Sequence, residues 1–237
     1  MKRLKSWWHY KISVSDPPII TLEGLYPLLL LGLLSLLAFL FHMIRIQFNE
    51  AVDFSLDWNL FLSWIPLLIA YITSILSKRF GPIPILVGIL SVVWLAFFPN
   101  APYMITDLVH LTVDFERNLT WHDIIMLFYY AQVSLINGLV SLYWIHRTWQ
   151  RTYGKTAGLT LLLISLPLAG FGVYLGRIRR WNSWDILHDP IELLKNILAS
   201  ALDRTAVLLS FEFALMLGML YLVLWLLLRF RIRNVRR

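Results

Sequence analysis

Several stretches of about 20 residues in this chain carry almost no charged side chain. A run of that length crosses the hydrocarbon core of a bilayer as an α-helix, because a helix satisfies its backbone polar groups internally. Hydrophobic residues make up 59% of the 237 residues, whereas soluble domains usually have about 45–50%. The pattern therefore predicts an all-α, polytopic membrane helix bundle that forms a single integral membrane domain over residues 1–237.

We expect about six transmembrane helices, with short interfacial helices on the outer face. The predicted spans cover residues 25–46, 58–77, 85–98, 121–146, 157–175 and 205–228. If both termini are cytoplasmic, most of the 21 Lys and Arg fall in cytoplasmic segments, as the positive-inside rule requires. That rule also explains the net charge of +7 without nucleic acid as a partner. Cysteine is absent, which excludes disulfides and cysteine-ligated metal sites.

A polar, helix-breaking stretch directly follows the third span. Residues 97–110 read Phe-Phe-Pro-Asn-Ala-Pro-Tyr-Met-Ile-Thr-Asp-Leu-Val-His. If the segment from Tyr103 is helical, Tyr103, Asp107, His110 and Asp114 lie on one stripe. An Asp and a His three residues apart can bind one metal or orient the histidine as a base. Asp107 and His110 are thus the candidate catalytic residues, and a structural Asp–His hydrogen bond is the alternative.

A second polar segment, residues 176–190, follows the fifth span on the same side of the membrane as residues 97–110. Arg177 and Arg180 would hold an anionic lipid headgroup or small molecule in a pocket that both segments share. The candidate binding residues are Asn100, Tyr103, Arg177, Arg180, Trp181, Asn182, Trp184, Asp185 and His188. The residue pattern does not establish whether the protein is an enzyme or whether it binds a metal or a cofactor.

Several of these polar residues have a simpler interpretation as helix caps. Thr120-Trp-His-Asp123 fits a capping box, and Asp189-Pro190-Ile-Glu192 fits an N-cap, an N1 proline and an acidic N3 residue. Asn182 with Asp185 resembles another helix start, and Asn100 can cap the helix that follows it. These interpretations leave Asp107 and His110 as the residues without an obvious capping role.

Other polar and small residues lie inside the predicted spans. Glu212 lies seven residues past Thr205, roughly 10 Å along a helix, and an ionisable residue at such a position is a functional candidate. It would be the coupling group of a transporter, or else a structural partner of His42 or of an arginine. Small and polar residues in the fourth and fifth spans predict close helix packing; they are Gln132, Ser134, Asn137, Ser141, Gly172 and Gly176.

Three strings carry a family resemblance. They are residues 97–111, from Phe97 to Leu111, Trp121-His-Asp123, and Gly170-Phe-Gly-Val-Tyr-Leu-Gly-Arg-Ile-Arg-Arg-Trp-Asn-Ser-Trp-Asp185. Together they resemble the domain-of-unknown-function family 1361 of bacterial multi-pass membrane proteins, over roughly Trp58 to Leu228. The resemblance implies a bacterial cytoplasmic membrane protein. It supplies no activity, cofactor or catalytic residue.

Three classes of function follow from these features. The first is a polar pocket on the outer face that binds or processes an anionic lipid headgroup or small molecule. The second is a structural or assembly subunit that docks a membrane protein partner. The third is a transporter that uses Glu212. The lipid bilayer is a partner in all three.

Overall fold

The computed structural model describes residues 22–48, 55–109 and 121–235, and over these residues the chain forms helices and no β-strand. Within these residues, six helical segments are long and apolar enough to cross a bilayer. The predicted all-α polytopic bundle is therefore confirmed. The chain before residue 22, His110 and Asp114 lie outside the described residues.

The described helices form a long set and a short set. The long helices are α1 (Leu22–Phe48), α2 (Leu56–Arg79), α3 (Pro84–Phe97), α5 (Trp121–Tyr153), α6 (Lys155–Arg177) and α9 (Arg204–Val235). The short ones are α4 (Asn100–Tyr103), a 3₁₀ helix (Met104–Val109), α7 (Asp185–His188) and α8 (Pro190–Ser200). The third spanning segment, Pro84–Val109, thus includes α4 and the 3₁₀ helix.

Local chemistry explains where several helices begin and end. Lys78 and Arg79 occupy the last turn of α2, where cations are favourable beside the exposed carbonyl groups. Pro84 opens α3, because a proline at the first helical position loses no hydrogen bond. Helix α5 continues to Tyr153, past the predicted end at residue 146, since a helix need not stop where its apolar span ends. Gly154 then reverses the chain with a φ of 95°, a conformation that favours glycine.

Helix α5 is the centre of the bundle. It packs against α1, α2, α3, α6 and α9, and more than half of its span is buried. Helices α1 and α9 are peripheral, with 17% of each span buried. Their large exposed apolar surfaces suit contact with lipid chains.

Polar side chains on α5 link it to its neighbours inside the core, as their positions predicted. The Ser134 hydroxyl donates to the Ala101 carbonyl at 2.8 Å, and the Asn137 amide donates to Ser63 Oγ at 2.9 Å. Ser141 Oγ accepts from the indole N–H of Trp94 at 3.1 Å. Gln132 differs, because its side chain is exposed on the surface of α5.

Two glycines let the segment after α3 lie directly against α6. A Cβ added to Gly172 would lie 2.7 Å from Pro99 Cβ and closer still to Pro99 Cγ, and one added to Gly176 would lie 3.2 Å from the Tyr103 ring. Ordinary contacts between carbon atoms are about 3.5–4.0 Å. The predicted packing role of this glycine pair is therefore confirmed, and it brings residues 99–103 close to α6.

Gly172→Ala is expected to destabilise the protein by about 1–3 kcal/mol, because a rigid proline ring occupies the space that the methyl group needs. Gly218→Ala is the matched control on α9. Its added methyl group would lie 3.5 Å from Leu166 Cδ1, an ordinary contact. Thermal unfolding of both variants in detergent measures the difference, and equal melting temperatures would contradict this account of the α4–α6 contact.

Candidate functional site

Polar side chains concentrate at one end of the bundle, which we call the Asp107 end. It contains the last turns of α1, α3 and α6 and the first turns of α2, α5 and α9. The short elements α4, the 3₁₀ helix, α7 and α8 all lie in the connections at this end. Both polar segments singled out in the sequence therefore belong to the same end.

An ion pair joins these two segments. Arg177 Nη2, in the last turn of α6, donates to Asp107 Oδ1 at 2.6 Å. The Asn59 amide, from the first turn of α2, donates to Asp107 Oδ2 at 3.0 Å. Asp107 is 3% exposed, so its charge is compensated by neighbouring side chains rather than by water.

Tyr103 completes the surroundings of Arg177. The guanidinium carbon lies 5.0 Å from the centre of the Tyr103 ring, within cation–π range. Arg177 Nη1 also donates to the Tyr103 hydroxyl at 3.4 Å. Arg177 thus contacts Asp107 and Tyr103, whereas the sequence hypothesis has it bind an anion.

A second link runs from α4 to the connection after α6. The Asn100 amide nitrogen donates to the Phe97 carbonyl at 3.0 Å and to Ser183 Oγ at 3.1 Å. Ser183 in turn donates to the Ala96 carbonyl at 2.9 Å. The interpretation of Asn100 as an N-cap is wrong, because its side chain instead joins the end of α3 to a segment about 80 residues later.

A cavity of about 400 Å³ lies beside this link, a volume typical of small-molecule sites. Apolar side chains of the spanning helices form one part of it, including Val92 and Phe171. Val92 is 70% exposed, so this part is open to the outside of the bundle. The polar and aromatic lining residues are Trp58, Asn59, Asn100, Tyr103, Trp181, Asn182 and Ser183. Among the described lining residues none is charged.

The remaining candidate residues of the second segment lie outside this cavity. Arg180 is exposed, in a left-handed backbone conformation with a φ of 58°. His188 is exposed on α7, and its Nδ1 lies 3.1 Å from the Trp184 carbonyl. The Trp184 ring meets the Trp58 ring edge-on at 6.2 Å. Arg180, Asp185 and His188 are therefore not part of the described lining of the cavity.

One of the predicted caps is present among the described residues. Asp189 is the N-cap of α8, where its side chain accepts from the Glu192 backbone N–H at 3.4 Å, and Pro190 opens the helix. The Asp185 carboxylate accepts from the Asn182 backbone N–H at 2.7 Å at the start of α7. The interpretation of Asp189 is confirmed, whereas that of Asn182 is wrong, because the N-cap of α7 is Trp184 and α7 begins at Asp185.

Sequence reasoning missed two partly buried contacts at the same end. His42 Nδ1 lies 2.9 Å from Asp57 Oδ2, and the Tyr130 hydroxyl donates to Asp57 Oδ1 at 2.5 Å. Arg45 makes a two-pronged ion pair with Asp123, at 2.6 and 2.8 Å. Asp123, 1% exposed, therefore has a role beyond the proposed capping box. The available signal was Arg45 itself, a charge that ends a long apolar helix and needs a partner.

Glu212 does not pair with His42, which contacts Asp57 instead. Its side chain is exposed on the surface of α9, next to Phe211, which is 61% exposed. Glu212 does not line the cavity. A coupling group would face a transport pathway within the protein, so this position does not favour the transporter hypothesis.

The sequence model of the family described as "Protein of unknown function (DUF1361)" matches residues 58–224. The chain belongs to this family. No curated protein and no solved structure matches the chain. The family match extends over α2 to most of α9 and includes every described residue that lines the cavity. Both polar segments of the Asp107 end thus lie within the family's region, and the chain is a multi-pass membrane protein of this family.

Asp107→Asn is expected to lower the free energy of unfolding by about 2–3 kcal/mol, because it leaves the Arg177 guanidinium without its counter-ion. Glu192→Gln is the control, since it removes an exposed ion pair with Lys195 and should change stability by less than about 0.5 kcal/mol. Chemical unfolding in mixed micelles measures both. A double variant with Arg177→Gln should recover part of the loss, and strict additivity would contradict a direct interaction.

Proposed function

We propose that this protein binds an amphiphilic, lipid-like small molecule in the cavity at the Asp107 end. The proposal rests on one observation: the cavity lining has an apolar part and a polar part. Apolar side chains of α3 and α6 suit an acyl or alkyl chain, and asparagine, serine and tyrosine suit a polar group. The exposure of Val92 leaves a route into the cavity from the lipid side.

We propose binding rather than chemistry as the primary role. Asp107, the candidate base or metal ligand, is held by Arg177 and Asn59. Among the described residues, no three His, Asp or Glu side chains cluster in a way that would hold a metal ion. His110 lies outside the described residues, so its proposed catalytic role with Asp107 rests on the sequence spacing alone.

We further propose that the protein lies in the cytoplasmic membrane with both termini in the cytoplasm, which puts the Asp107 end on the outer side. The charge distribution supports this orientation. Arg147, Arg151 and Lys155 lie at the opposite end of the bundle, together with Lys78 and Arg79. With the nine Lys and Arg of the two terminal segments, the side assigned to the cytoplasm holds 14 of the 21 in the sequence, as is typical of cytoplasmic segments.

Assembly with a membrane protein partner is the second candidate function. The connection around α7 and α8 exposes large apolar side chains, of which Leu187 is 85% and Leu202 is 92% exposed. Exposed apolar surface of this kind contacts either the membrane interface or another protein. Native mass spectrometry separates the two functions, because a bound lipid and a bound subunit differ greatly in mass.

Ala96→Trp is expected to abolish retention of a bound amphiphile, because the indole would fill part of the cavity that Ala96 lines. Native mass spectrometry of protein released from a mild detergent measures the retained mass. Ala199→Trp is the matched control, since Ala199 is exposed on α8 and does not line the cavity. Equal retention by both variants would refute the proposed binding site.

Single cysteine variants test the proposed orientation directly, because the natural chain contains no cysteine. A membrane-impermeant maleimide should label Lys195→Cys, on α8, in intact cells. It should label Lys155→Cys, at the first residue of α6, only after the membrane is permeabilised. Both side chains are exposed, so access depends on the side of the membrane. The reverse labelling pattern would overturn the orientation.

A further inference from the structure

We infer that the polar part of the ligand is an uncharged group that carries hydroxyls, such as a glycerol or a sugar, and is not an anionic headgroup. This inference rests on the proposed function, since it names the chemical class of ligand for the same cavity. It departs from the hypothesis that Arg177 and Arg180 bind an anion. The chemical class of the ligand follows from the polar atoms of the lining side chains that have no hydrogen-bond partner among the described residues.

The Asn100 side chain can offer only its oxygen. Its amide nitrogen already donates both hydrogens, one to the Phe97 carbonyl and one to Ser183 Oγ. A carbonyl oxygen can only accept, so the contact with Phe97 also fixes which end of the amide is nitrogen. No described residue donates to Asn100 Oδ1, and this oxygen is therefore an acceptor available to a donor from the ligand.

The Asn59 side chain is oriented by the same logic. Its amide nitrogen donates to the Asp107 carboxylate, which can only accept. The amide oxygen consequently points away from Asp107, and no described residue donates to it. Two side chains from different helices, α2 and α4, thus line one cavity, and each has an acceptor oxygen to which no described residue donates.

Tyr103 supplies the complementary donor. Its hydroxyl receives a long hydrogen bond from Arg177 Nη1 at 3.4 Å, which leaves its own hydrogen available. A ligand hydroxyl can donate to an asparagine oxygen and accept from a tyrosine hydroxyl at the same time. A fully ionised phosphate or sulfate has no hydrogen to donate to the two asparagine oxygens, and an ammonium group cannot accept from Tyr103.

The neutral character of the described cavity lining indicates the same class of ligand. None of the described residues that line the cavity is Lys, Arg, His, Asp or Glu. An ionic headgroup would lose water there without a counter-ion, which is costly. Arg177, the cation nearest to Tyr103, is neutralised by Asp107, and Arg180 lies in the exposed turn beyond the cavity.

The test compares three probes with the same dodecyl tail: dodecylglycerol, dodecyl phosphate and dodecyl methyl ether. Each is titrated into the full-length protein in an amine-oxide detergent, whose headgroup has no hydroxyl, and binding is followed by native mass spectrometry. We expect dodecylglycerol to bind at least about tenfold more tightly than the other two, as one or two additional hydrogen bonds predict. Equal binding of all three, or tighter binding of the phosphate, would overturn the inference.

Two variants locate the headgroup. Asn100→Ala should weaken dodecylglycerol binding about tenfold and leave binding of the methyl ether unchanged. Tyr103→Phe removes only a hydroxyl whose single described contact is long, so it keeps the test decisive if Asn100→Ala does not fold. An unchanged preference for dodecylglycerol in Tyr103→Phe and in a folded Asn100→Ala would overturn the assignment of these atoms.

The Ala96→Trp variant separates failure of this inference from failure of the proposed function. If it loses all three probes while the wild-type protein binds them equally, the cavity binds amphiphiles and only the headgroup assignment is overturned. If Ala96→Trp binds each probe as the wild-type protein does, the cavity is not the binding site, and both proposals are overturned.

Discussion

The ion pair between Arg177 and Asp107 connects two segments that lie 70 residues apart in the sequence. Neither charge is stable alone at a buried helix end, so each fixes the position of the other. Asn59 extends the contact to α2, and Tyr103 lies against the guanidinium of Arg177. Three spanning segments, α2, α6 and the one that begins with α3, are therefore held together at one point. The shape of the nearby cavity depends on that point.

Close packing of backbone and ring atoms sets the second constraint. Because Gly172 and Gly176 have no side chain, Pro99 and Tyr103 approach α6 directly. Helix α4 consequently lies between α3 and α6 and contacts both α2 and α6. Asn100, in the same short helix, then reaches Ser183 across the edge of the cavity. The cavity thus follows from a kinked span that packs through small residues, a common device in membrane helices.

Charges at the Asp107 end are compensated outside the cavity. Arg45 pairs with Asp123 and Arg177 pairs with Asp107. These contacts attach α1 to α5 and α6 to the 3₁₀ helix, which gives the end of the bundle a rigid frame. Arg45 and Arg177 belong to this frame, whereas the described lining of the cavity consists of neutral side chains. A charged frame around a neutral, hydrogen-bonding cavity is consistent with recognition of an uncharged polar group.

The sequence by itself determined the fold class, the number of spans and the places of unusual chemistry. Apolar length, proline and glycine positions and caps such as Asp189 act locally, so they can be read without knowing the fold. Only the tertiary structure decided which charges are partners. Arg177 meets Asp107 and Arg45 meets Asp123 because helices distant in sequence pack side by side. The spacing of Asp107 and His110 carries no information about such contacts. The amino-acid type of a single residue such as Asn100 carries none either.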